Sequence, residues 1–260
     1  MSTPCRLFLI SCVAGLFLPG CTQLPPEAKQ QLETARDQYQ SAHYSDAVAT
    51  AGKFLALHAS HPVAAEAYYI RGQSYLKLGQ TKQARADLQQ ALDSSKRPDL
   101  TARLHATLGS LDYADDNLMA AADHYRQAVP ALPNVPPKDL VLFRLGLCLQ
   151  RQGEWPEARK HFAQLISDYP ASRVAESAKP RFNWPHDFFT IQVGAFSKPE
   201  LAQRQLTVLR QAGLPAQQRL DTRSGRPLYV VQVGQYQTYA DAQTNLPKVQ
   251  TAAGEAIIVP

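Results

Sequence analysis

One spacing governs the larger part of this 260-residue chain. Ala47, Ala84, Ala121 and Ala158 follow one another at steps of 37 residues, and Ala35, Gly72, Gly109 and Gly146 keep the same step. A third series, Ala51, Leu88, Tyr125 and Phe162, stands four residues beyond the alanines and therefore shares their helical face. A register that holds through four units constrains the fold more than any local propensity. A unit of this size cannot bury its own apolar face, so it must stack on its neighbours. Within a unit, a small residue is followed twelve positions later by another, as Gly72 is by Ala84. Two antiparallel helices can then cross at close range.

These motifs resemble the tetratricopeptide repeat, whose usual length is about 34 residues. The match rests on Gly72, Tyr75, Gly79 and Ala84 in the second unit and on Gly146, Gly153, Ala158, Phe162 and Pro170 in the fourth, with Pro133 closing the third. The extra residues of each unit fall in turns such as Ser95-Lys96-Arg97-Pro98. The resemblance implies an all-α superhelix over 27–180, four repeats and a capping helix, with a concave face lined by the first helix of each pair. Such a face grips an extended peptide or a protein partner. Tyr68, Arg71, His105 and Arg144 are expected to line it, and the partner itself stays unidentified.

Beyond Pro180 and Pro185 the pattern changes from helical spacing to β-branched alternation. Asp187 to Phe196 reads as a strand with one buried face, Ser197-Lys198-Pro199-Glu200 as a capping box opening a helix, and Gly213 as its stop. Pro215 to Asp221 and Pro227 to Tyr236 read as strands around a turn at Ser224-Gly225. Thr238 and Asp241 open a second helix, and Glu255 to Val259 closes as a strand. The order is β-α-β-β-α-β. The two halves echo each other, Gln192-Val193-Gly194-Ala195-Phe196 against Gln232-Val233-Gly234-Gln235-Tyr236.

This doubled pattern, with Ala212-Gly213-Leu214-Pro215-Ala216 and Gly225-Arg226-Pro227-Leu228-Tyr229 between its halves, closely resembles the SPOR domain, named for sporulation-related repeats. The resemblance covers 187–260, with 181–186 as a linker. It implies a small α+β fold, a four-stranded antiparallel sheet with helices on one face, that binds peptidoglycan glycan strands denuded of stem peptides at division septa. Alternation turns Ile191, Val193, Tyr229, Val231 and Val233 toward the helices and leaves Gln192, Leu228, Val230, Gln232 and Ile257 on the open face. Amide groups flanked by apolar surface suit sugar hydroxyls, acetamido groups and C–H faces. Those five are the expected glycan-binding residues, bordered by Arg223 and Arg226.

At the other end, Arg6 precedes an apolar run from Leu7 to Leu18, followed by Pro19, Gly20 and Cys21. The run is shorter than the roughly 20 residues of a spanning helix, so residues 1–20 read as a signal peptide. Gly20-Cys21 resembles the lipobox of bacterial lipoproteins. That resemblance implies a diacylglycerol and fatty acyl chains such as palmitate on Cys21, with 21–26 as the lipidated spacer. Thr22, in place of a retaining aspartate, points to the periplasmic face of the outer membrane. The lone cysteine of the folded part, Cys148, sits in an apolar stretch and reads as packing. His58 and His61 lack further ligands, so no metal or cofactor is expected. No nucleophile and base pair suggests an enzyme. The net charge of +5 includes Arg6 and is spread thinly, and no aromatic RNA-binding motif accompanies it, so nucleic acid is no partner. A wall-binding adaptor is the favoured reading, and a scaffold for outer-membrane assembly or envelope constriction is the alternative.

Overall fold

The computed structural model describes residues 23–223 and 226–260. The signal segment, Cys21 and the turn at Ser224-Gly225 lie outside them. Four helix pairs come first: α1 (Pro26–Gln40) with α2 (Tyr44–His58), α3 (Ala64–Lys77) with α4 (Thr81–Ser94), α5 (Pro98–Ala114) with α6 (Leu118–Ala128), and α7 (Lys138–Arg151) with α8 (Trp155–Asp168). A ninth helix, α9 (Arg173–Phe182), caps the stack and runs past Pro180.

The 37-residue series are the rules by which each pair packs. A β-carbon added at Gly72 would meet the Leu88 side chain at 3.0 Å, one at Gly109 the Tyr125 ring at 3.0 Å, and one at Gly146 the Phe162 ring at 2.5 Å. Each glycine therefore faces the large residue sixteen positions later, and Leu88, Tyr125 and Phe162 are wholly buried there. Inside every pair the turn closes in the same way. The amides of His43, Gln80, Asn117 and Glu154 donate to the carbonyls of Gln38, Tyr75, Asp112 and Leu149 at 2.8, 2.8, 2.8 and 2.9 Å. This is the Schellman closure, which requires a left-handed residue just before the donor. Ala42, Gly79, Asp116 and Gly153 supply it, with φ of 62°, 73°, 59° and 86°. That is a fourth series with the same 37-residue step.

The C-terminal layer contains β1 (Phe189–Phe196), α10 (Pro199–Gln211), β2 (Ala216–Arg223), β3 (Arg226–Tyr236), α11 (Tyr239–Ala253) and β4 (Ile257–Val259). The sheet order is β2-β3-β1-β4 with every pairing antiparallel. Ile191, Val231 and Val233 are buried with Ala202, Leu206 and Leu209 of α10 and Val249 of α11, as alternation predicts. Each Gly-x-aromatic unit folds its ring back over its own glycine: added β-carbons at Gly194 and Gly234 would lie 2.7 and 2.5 Å from the rings of Phe196 and Tyr236. The cap of α11 forms as expected, with the Thr238 hydroxyl accepting from the Asp241 amide at 3.1 Å. The one at α10 does not, because Lys198 occupies the N-cap and no side chain bonds the first turn.

Repeat and sheet layers meet along one seam. Trp155 Nε1 donates to the Gln237 carbonyl at 3.1 Å, and the Trp155 ring packs 4.8 Å from that of Phe189. Arg159 pairs with Asp187 at 2.6 Å, and the Arg151 guanidinium lies 4.6 Å over the Tyr239 ring.

Candidate functional site

Residues paired across antiparallel strands share a face. Gln192 is opposite both Gln232 and Ile257, so these three form one row across β3, β1 and β4 on the side away from the helices. Val230 lies opposite Arg219, and Leu228 opposite Asp221, which extends the same face onto β2. The topology thus gathers all five expected residues on one surface. Their exposure differs from the expectation. Ile257 is 60% exposed and Gln192 and Leu228 are half-buried, but Val230 is 0% exposed and Gln232 4%.

Alternation along a strand fixes the side on which a residue lies and says nothing of what covers it. Here Trp184, in the segment 183–188, reaches this face at Arg219. The Arg219 guanidinium, beside Val230, sits 5.4 Å from the centre of the Trp184 ring. Trp184 Nε1 donates to the Phe188 carbonyl at 3.2 Å, and His186 stacks on Phe188 at 4.8 Å with the rings 16° apart. Two buried polar atoms on the sheet have no hydrogen-bond partner among the described residues, Arg219 Nε and Gln232 Nε2. Arg226 is exposed beside Leu228, while the Arg223 side chain lies outside the described part.

A family model described as the SPOR domain matches residues 185–260, the span of this sheet and its two helices. Two others match further upstream, one described as an outer membrane lipoprotein (YfiO) over 23–118 and a tetratricopeptide repeat over 140–172. The chain carries a SPOR domain behind a tetratricopeptide array. Among solved structures, the array is similar to YrrB, described as a TPR protein with an unusual peptide-binding site, at 22% identity and a TM-score of 0.51, covering 62% of this chain and 80% of that one. It is also similar to a tetratricopeptide repeat protein from Parabacteroides merdae, at 13% identity and a TM-score of 0.50, covering 61% of this chain and 59% of the other. Both likenesses concern the fold. No curated protein matches the sequence significantly.

The tetratricopeptide array places its expected lining residues unevenly. Arg144 does line a groove with Tyr69, Gln73 and Arg103, contributed by the first helices α3, α5 and α7. Arg71 is instead committed within its repeat, donating twice to the Asp87 carboxylate at 2.6 and 2.7 Å, and its guanidinium lies 5.6 Å over Tyr68. His105 is nearly buried and its Nδ1 shares a hydrogen bond with His124 Nδ1 at 2.9 Å. Arg103, on the same wall of the groove as Arg144, escaped the sequence reading. Only its placement one repeat before Arg144 brings the two guanidinium groups to one surface. Cys148 is buried, and desolvation pushes its thiol up to about 12, which leaves a packing residue with no thiolate at neutral pH. The SPOR, tetratricopeptide and YfiO families are binding or scaffold families.

Proposed function

We propose that this chain is an envelope adaptor. Lipidated at Cys21 and anchored to the periplasmic face of the outer membrane, it binds denuded peptidoglycan glycan strands through the SPOR sheet and recruits a protein partner in the repeat groove. The observation that carries the reading is the SPOR match over 185–260 on a sheet whose helix-free side holds Gln192, Leu228, Val230, Gln232 and Ile257 in adjacent rows, with Gln192, Leu228 and Ile257 reaching solvent. Side-chain amides beside Ile257 and Leu228 offer donors and acceptors for acetamido groups and an apolar bed for sugar C–H faces. Denuded strands mark sites of septal wall cleavage, so the division site is where the adaptor acts.

Sedimentation of the full chain with amidase-treated and intact sacculi tests this. Preferential binding to treated sacculi is expected, and Gln192→Ala is expected to weaken it with unchanged thermal unfolding. Equal recovery in the supernatant with both preparations would refute wall binding. The match of the first repeats to an outer membrane lipoprotein model over 23–118 favours a second reading, a scaffold in outer-membrane assembly. That role predicts partner loss on truncating α1 to α4, with wall binding intact.

A further inference from the structure

The glycan reading supposes an open sheet, yet the centre of that face is closed. We propose that residues 183–188 form a strap that holds the SPOR sheet shut to glycan, with Trp184 in the place of a sugar ring, and that binding requires the strap to lift. The proposal rests on the glycan reading.

Three features carry it. First, the covered residues are those at the middle of the face. Val230 on the central strand is wholly buried and its neighbour Gln232 nearly so, whereas Ile257 at the β4 edge stays open. Second, the cover is chemically mismatched to what lies beneath. Arg219 Nε and Gln232 Nε2 are buried without an acceptor. The strap presents an aromatic ring to Arg219 where its Nε calls for an oxygen, and an unpaired buried donor is unfavourable. Sugar hydroxyl and acetamido oxygens are acceptors of the kind these two donors lack.

Third, the strap can leave as a unit. Its indole hydrogen bond runs to Phe188 and its ring stack joins His186 to Phe188, so both ties are internal. Among the described residues no hydrogen bond joins 183–187 to β3. What holds it down is the contact of Trp184 with Arg219, the packing of Trp184 on the buried Trp155, Phe189 and Ala242 cluster, and the ion pair of Asp187 with Arg159, whose side chains are 57% and 31% exposed. Exposed ion pairs of this kind hold weakly. The strap also springs directly from α9, so the face is controlled from the repeat side of the molecule.

The test compares the full chain, Trp184→Ala and Asp187→Asn in sedimentation with amidase-treated sacculi. If the strap covers about nine molecules in ten, lifting it raises apparent affinity about tenfold, because the covered fraction is withdrawn from binding. Trp184→Ala is expected to approach that gain, and Asp187→Asn to move in the same direction by less. Should the tryptophan variant fail to fold, the exposed Asp187→Asn variant carries the test alone. Unchanged affinity in both variants overturns the strap while leaving glycan binding in place. Weaker binding by Trp184→Ala with Asp187→Asn unaffected also overturns it, and makes Trp184 part of the sugar surface. No binding by any of the three removes the glycan reading and the strap together.

Discussion

A left-handed residue recurs at 42, 79, 116 and 153, and two of the four are not glycine. An L-residue there brings its β-carbon against the following carbonyl, which costs roughly 1–2 kcal/mol that glycine avoids. Ala42→Gly is therefore expected to stabilise the chain, by about 0.5–1 kcal/mol once the added freedom of the unfolded glycine is subtracted, read as a higher urea midpoint. Gly146→Ala works in the other direction. Its β-carbon would stand 2.5 Å from the Phe162 ring, so overpacking of about 1–3 kcal/mol is expected, and Gly109→Ala, at 3.0 Å from Tyr125, should lose less. The packing series was legible because alanine and glycine recur in it by type. The left-handed series was not, since Ala42, Gly79, Asp116 and Gly153 share a backbone angle and no chemistry. A pH effect also belongs at this scale. Burial first, then the charge of its neighbour His124, lowers the pKa of His105; burial lowers that of His124 as well, against the opposing pull of Asp112 and alongside the repulsion of Arg85. Lowered values mean that the unfolded chain takes up protons the folded one refuses. Stability is complete above the ordinary histidine value of about 6.5 and falls as pH drops through it toward the folded values. Urea titrations at neutral and mildly acid pH should show this loss, reduced in His124→Gln.

The two C-terminal helices begin differently, and their elements should respond differently. Thr238 accepts from the Asp241 amide at the start of α11, so Thr238→Ala is expected to destabilise by about 1 kcal/mol in thermal or urea unfolding. Ser197→Ala should change little, because α10 starts one residue later than its Ser-x-x-Glu signature suggests and Pro199 opens its first turn. The succession of strands and helices along the chain and the inward set Ile191, Val231 and Val233 could be read from the change of period and from alternation. The burial of Val230 and Gln232 could not. The segment that reaches this face, with Trp184, Pro185 and His186, obeys no period and falls between the two recognisable patterns.

Across the whole molecule the seam between α8 and the SPOR domain decides whether there are one or two cooperative units. Trp155 is almost completely buried there, hydrogen-bonded to Gln237 and packed on Phe189. Calorimetry of the intact chain should show a single transition. Trp155→Ala is expected to split it into separate transitions for array and sheet, while Trp155→Phe, which keeps a ring against Phe189, should retain one. The turn of repeat four is part of this seam: a β-carbon at Gly153 would stand 3.1 Å from the Gln237 carbonyl, so the residue that closes the repeat also clears space for the domain docked on it. Mechanically, the seam and the strap stand in parallel between array and sheet. The six residues 183–188 are the covalent path from α9 to β1, and Asp187 within them grips α8 through Arg159. A pull between the first helix and the sheet therefore loads the Trp155 contacts first, and the covalent path takes tension only after they part.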